Sequence, residues 1–253
     1  MGWFRTMFGR RDHKERPADR DSAPADGPET AADGRVGDPP RGPVEFDLPA
    51  PDQLRPRWAA VAAVLGSVGY GSEDCRSDDG DWYYHDGGGN WCRLYRYADG
   101  RALLVGSDHE YSDTFYGEAA AYFERPETDL LAAGEPWWGD ALGWHDRRDG
   151  QWVSFIYAFD GQRWRRAPYD LDDGFASLDL PAVSDDRARR TITEYAKGEG
   201  DDDLVPDLGS RVEEVLRAGV DVTADQVRAL GSHLTEPGVG VAAARGFAAP
   251  GRH

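Results

Sequence analysis

Apolar residues recur along this chain with two different periods, and the switch between them marks out its parts. From Pro56 to Val68, "PRWAAVAAVLGSV" carries apolar residues around a wide helical face, so the spacing predicts a helix that Gly69 stops. The pattern then shortens into aromatic and β-branched runs. "DWYYH" (81–85), "WCRLYRY" (91–97) and "RALLVGS" (101–107) read as strands, the last two joined by Asp99-Gly100 as a two-residue type I′ turn. A second hairpin follows the same plan: "QWVSFIYAF" (151–159), Asp160-Gly161 and "QRWRRA" (162–167). These runs predict one antiparallel sheet of about five strands.

The helical period returns in "SDDRARRTITEYAKG" (184–198), with Ser184 placed to cap it. The acidic run "GEGDDD" (198–203) marks a boundary. Beyond it, Ser210 with Glu213 and Thr223 with Gln226 form two capping boxes, each opening a short helix. Val212, Val215, Leu216, Val227 and Leu230 supply the apolar residues of this C-terminal helical hairpin, which packs on the sheet or forms an adjacent lobe. The expected fold class is α+β.

Ahead of the folded body the pattern changes again. Residues 17–44, "PADRDSAPADGPETAADGRVGDPPRGPV", hold almost no large apolar side chain. Such a segment buries too little surface to offset its ordering entropy, so a disordered linker reaching about 30 Å is expected. At its free end, Trp3, Phe4, Met7 and Phe8 share an arc of roughly 140° at helical spacing, with Arg5, Thr6 and Arg10 opposite and Arg11 inside the apolar arc. Residues 1–16 therefore read as a basic, aromatic tether that makes weak contact with a membrane surface or a partner's groove. The opening also matches the permissive Met-Gly-x-x-x-Thr myristoylation pattern. The organisation read from the sequence is 1–16 tether, 17–44 linker, 45–197 acidic α+β domain, and 198–253 acidic linker with helical hairpin.

Charge narrows the choice of partners. The chain carries a formal net charge of −18, and residues 1–44 contribute none of it, with eight acids and eight bases. Residues 45–197 hold 29 acids against 16 bases, and 198–253 hold ten against five. A body this acidic opposes a phosphate backbone, so nucleic acid is not an expected partner; a basic protein is. No apolar run approaches the roughly 20 residues of a membrane span, and no leader is expected, so the reading is cytoplasmic. Cys75 and Cys92 have neither metal spacing nor a disulfide framework, and reduced thiols are expected.

Three stretches invite a chemical reading. "GSDHEYSDTFYGE" (106–118) fails as a calcium loop, because Asp113 stands where Gly is required and Ala119 where the bidentate Glu belongs. It fails as a zinc-protease helix too, for Asp113 replaces the second His. The alternative is a helix with Phe115, Ala119, Tyr122 and Phe123 on one face, capped by Asp113 and carrying Glu118 in its early turns. "SDDGDWYYHDGGGNW" gathers Asp78, Asp79, Asp81, His85 and Asp86, but its glycines open no phosphate loop and read as a flexible turn. A metal-assisted hydrolase would need His85, His109 and nearby aspartates, with His145 also in reach, to converge. No catalytic, cofactor or metal residue is assigned, and no cofactor is expected. In "EPWWGDALGWHDRRDG", Trp137, Trp138 and Trp144 with Arg147 and Arg148 have the composition of binding hot spots. They are the expected partner-binding residues, unless the tryptophans plug a face of the sheet.

The stretch from "RPRWAAVAAVLGSVGYGSED" through "DGRALLVGSDHEYSDTFYGEAAAYF" to "DLDDGFASL" resembles a family of uncharacterised actinobacterial proteins, sometimes labelled proteophosphoglycan-like. The resemblance covers about residues 50–195 and transfers no site. Acidity and size also make the chain similar, at the level of fold class alone, to immunity proteins of bacterial toxin systems. The leading expectation is a non-enzymatic protein-binding module with an acidic, Trp-bearing surface for a basic protein, in an immunity-like role in one version. A metal-assisted hydrolase and a peripheral membrane protein are the alternatives.

Overall fold

The computed structural model describes residues 42–69, 73–148, 151–198 and 205–253, with backbone alone for 146–148. Trp3, Phe4, Met7 and Phe8 of the expected tether, and nearly all of the expected linker, lie outside the described residues. From Asp38 onward the chain forms one compact unit.

Among the described residues seven antiparallel strands make the sheet: β1 (Val44–Phe46), β2 (Cys75–Asp78), β3 (Asp81–His85), β4 (Trp91–Arg96), β5 (Ala102–Ser107), β6 (Phe155–Phe159) and β7 (Trp164–Arg166), in the spatial order β1-β7-β6-β5-β4-β3-β2. The five strands legible in the sequence are the inner five. The two that correct the expected number are the edges. β1 has three residues and overlaps the stretch read as linker, while β2, "CRSD", carries the polar character that blunts an exposed edge. Trp152 was read into a strand, but β6 begins at Phe155.

Both faces of the sheet are covered, so its strands do not alternate apolar with polar. They alternate between two interiors. Trp82, Tyr84, Cys92, Leu94, Leu104, Phe155 and Tyr157 point into one; Tyr83, Trp91, Tyr95, Leu103, Val105 and Ile156 point into the other.

Helices cover the first face. α1 (Pro51–Ser67) is buried at every position from Trp58 to Ser67, as befits a helix enclosed all round. It starts five residues before the expected Pro56, because Pro51 takes the first helical position, where a missing N–H costs nothing. α4 (Asp185–Lys197), α5 (Leu208–Ala218), α6 (Ala224–Arg228) and α7 (Pro237–Gly246) pack against it. The Ser184 hydroxyl caps α4 by accepting from the Arg187 N–H, and Thr223 and Gln226 form the expected box at α6. Ser210 does not open a helix; it lies inside α5. The C-terminal segment is therefore three helices within the main core, not a two-helix lobe. Where α7 crosses α1, glycines set the separation: a Cβ on Gly66 would stand 3.1 Å from Gly240 Cα, and one on Gly240 would collide with the Ala63 carbonyl.

Residues 108–148 and 151–153 cover the second face largely with loop, together with α2 (Glu118–Tyr122) and α3 (Asp140–Arg148). Its core is aromatic, with Trp138, Leu130, Ala141 and Val153 closing over the sheet's tyrosines and Trp91. Among the described residues no helix is long and apolar enough to cross a membrane.

Candidate binding surface

The tryptophan segment divides between core and surface. Trp138 is buried, correcting the expectation that its ring meets a partner: it anchors the loop layer, and a Cβ on Gly134 would strike the ring. Trp137 is half-buried; its Nε1 donates to Glu135 (3.0 Å), and its backbone carbonyl accepts from the Tyr97 hydroxyl (3.2 Å). The Arg101 guanidinium lies 4.7 Å from the ring centres of both Tyr97 and Trp137. Burial, with Asp140 nearby, pushes the Tyr97 hydroxyl's pKa upward. Trp144 is half-buried and stacks on His253. Arg147 and Arg148 end α3, and their side chains lie outside the described residues. The aromatic segment is thus first a lid on the sheet.

The histidines and aspartates are spread out. Asp78 and Asp81 sit at one end of β3 and His85 at the other, about 13 Å away at the strand rise of ~3.3 Å per residue. The His85 Nδ1 accepts from the Gly87 N–H. His109 lies against the triple-glycine turn, its Nδ1 2.8 Å from the Asn90 Oδ1. His145 is buried in parallel stacking on Trp91, with ring centres 4.6 Å apart, and its Nε2 lies 2.9 Å from the Gln151 carbonyl. Among the described residues no group of three or more His, Cys, Asp or Glu is placed to hold a metal ion. The geometry gives the metal-hydrolase reading no support. The glycine turn read as flexible is organised: the Asp86 carboxylate accepts from the N–H groups of Gly88 and Asn90 and from the Asn90 side-chain amide. Cys75 and Cys92 are buried free thiols, and burial pushes both well up, away from the reactive thiolate.

In the acidic segment after β5, Asp108 is the structural residue. Its buried carboxylate accepts from the N–H groups of Glu110 and Tyr111, both at 2.9 Å, and turns the chain out of the sheet. Asp113 does not cap α2. It is exposed, and its N–H donates to the Asp172 carbonyl (2.7 Å). α2 is only five residues long, with Gly117 before it and Ala119 and Ala120 facing inward.

Tyr122 and Phe123 are therefore not turned to the core as the helical spacing implied. They are 71% and 48% exposed and meet Trp152, itself 41% exposed, at ring-centre distances of 4.9 and 5.1 Å. Tyr122 and Phe123 are 5.0 Å apart, and Phe115 adjoins Phe123 at 5.6 Å. The rim is acidic. Between residues 110 and 127, Glu110, Asp113, Glu118, Glu124 and Glu127 are all exposed, with Arg125 as the single base. Asp170, Leu171 and Asp172 extend the exposed surface beside the Asp113 contact. The sequence signal that could have found this patch is the adjacency of Tyr122 and Phe123: a one-turn helix cannot bury both.

Bases gather elsewhere. A depression of about 400 Å³ is lined in part by Lys197, Arg211, Arg228 and His233. Arg211 donates to the Ala229 carbonyl, Arg228 pairs with Asp225, and the His233 Nε2 contacts the Tyr195 carbonyl. Arg211, Arg228 and His233 thus serve the helical layer. Comparisons with family models, curated proteins and solved structures return no match.

Proposed function

We propose that this protein is a non-enzymatic binding module whose exposed Tyr122–Phe123–Trp152 cluster, carried in part on an acidic segment, docks a basic segment of another protein. The observation that carries the reading is the coincidence of three mutually touching, solvent-facing rings with five exposed carboxylates and one arginine on the same segment. Exposed apolar area of this kind, rimmed by charge, is characteristic of interaction sites. Arginine and lysine bind both parts: the ring faces attract the cation and the carboxylates pair with it. The acidity of the whole body speeds the encounter. Trp137 and Trp144 belong to the support of this layer, and the partner meets the rings farther along it.

An arginine-rich peptide titrated against the protein, followed by tryptophan fluorescence, tests the proposal. Trp152→Ala with Phe123→Ser is expected to weaken binding by roughly 30-fold or more, the size of a hot-spot loss. Affinity is expected to fall between low and physiological salt. Equal affinity in the folded variant, or binding indifferent to salt, would overturn it.

A further inference from the structure

The segment from Pro250 to His253 lies across the end of the sheet opposite the aromatic patch, and it sits like a ligand. The N–H groups of Arg252 and His253 both donate to the Arg96 carbonyl, at 3.0 and 3.2 Å, and the Ala98 N–H donates to the His253 backbone oxygen at 3.0 Å. Two glycines permit the approach. A Cβ on Gly251 would stand 2.7 and 2.8 Å from the Tyr97 and Arg96 carbonyl oxygens, and one on Gly80 would collide with the Pro250 carbonyl.

The seat itself has aromatic walls and a carboxylate floor. The His253 imidazole stacks on Trp144 with ring centres 3.8 Å apart, and Tyr95 and Tyr97 meet its ring edge-on at 5.7 and 6.2 Å. Its Nε2 lies 3.1 Å from each carboxylate oxygen of Asp81, a side chain with no exposed surface. Arg252 bonds the same carboxylate at 3.0 Å and Asp79 at 3.0 Å. The Arg96 N–H also reaches this carboxylate, at 3.4 Å, and stays when the seat is emptied; even so, a buried carboxylate that loses the Arg252 and His253 contacts is left less well compensated. Once emptied, this box would favour any group that brings positive charge and a flat face.

We propose that Asp81, Tyr95, Tyr97 and Trp144 form a recognition box for a basic peptide segment bearing imidazole and guanidinium side chains, now filled in cis by His253 and Arg252. The box is independent of the Tyr122 patch: it uses other residues, at the other end of the sheet. The flat ring of His253 lies over an aromatic face and the Arg252 guanidinium against the same buried carboxylate, contacts that favour planar, cationic side chains over neutral aliphatic ones.

The test empties the box and refills it. The Arg252→Ala/His253→Ala variant of the full chain is melted with the peptide Pro-Gly-Arg-His or the control Pro-Gly-Ala-Ala, each capped at both ends. Binding to the folded state alone raises Tm with ligand concentration. The expected result is a rise with Pro-Gly-Arg-His only, lost when Asp81→Asn is added. Should the double variant fail to fold, His253→Ala alone, which keeps the Arg252 pair, is melted with imidazole at pH 6 and compared with the same variant carrying Asp81→Asn. No rise, an equal rise with the control peptide, or a rise that survives Asp81→Asn overturns the proposal.

Discussion

Leu103 and Leu104 are neighbours in the central strand and both fully buried, yet they enter different kinds of interior. Leu104 points among the alanines and valines of α1 and the helices around it; Leu103 points into tyrosine, tryptophan and loop. Helices with small residues hold their spacing by backbone approach, as at Gly66 and Gly240, and leave little room to adjust. The other layer is held by large rings and by single turns fixed through side chains, as at Asp108. Such a layer relaxes more easily, and its segments can turn outward. It is also the layer that carries both the exposed aromatic patch and Trp144 of the cation box. One side of the sheet holds the fold; the other side presents it.

The largest effect expected from this contrast is at the helix crossing. Gly240→Val drives a side chain into the Ala63 carbonyl and is expected to cost about 3 kcal/mol or more in chemical denaturation. A well-folded Gly240→Val protein would show that the helical face yields as readily as the other. Next comes the leucine pair. Leu104→Ala is expected to exceed Leu103→Ala by about 1–2 kcal/mol, because the cost of a cavity depends on how far its surroundings collapse. Equal losses would erase the distinction. The smallest effect touches neither face. At the hairpin turns, the Arg101 N–H holds the Asp99 carboxyl below the usual carboxylate range; at Asp160, burial pushes upward but the N–H groups of Arg163 and Gln162 outweigh it. Both folded values lie below the unfolded one, so their contribution is present above about pH 4. It is lost as pH falls through the folded values. Asp99→Asn and Asp160→Asn should each flatten the acid limb of stability slightly, and an unchanged limb would refute it.

What the sequence made legible follows the same division. The inner strands were readable because aromatic and β-branched runs between turn residues have few other uses. The turns were placed but not typed: only Gly100, not Asp99, is left-handed in a loop closed by the Tyr97 N–H on the Arg101 carbonyl, so the expected two-residue type I′ turn does not form, and the second hairpin turns at Gly161-Gln162, one residue later than read. The caps of α4 and α6 were readable because they are local chemistry. The edge strands were not, since three or four residues with polar character carry no period. The layer over residues 108–153 was read least well. Its single-turn helix gave Tyr122 and Phe123 an apparent inner face, and Trp152 looked like the start of a strand. Trp138, Trp137 and Trp144 had the composition of a hot spot, but composition does not say which ring the sheet needs for itself. His85, His109 and His145 were separable only once β3 had a length and the glycine turn a shape.

The close fit of α7 against α1 also sets a timetable for synthesis. About 170 residues separate the end of one helix from the start of the other. At translation rates of roughly 5–20 residues per second, the emerging α1 waits about 10–35 s for its partner. During that interval its alanine-, valine- and leucine-rich surface is open to solvent, and the β1 edge likewise waits for β7. Apolar helix surface and an unpaired strand edge are thus exposed together until the last third of the chain begins to emerge.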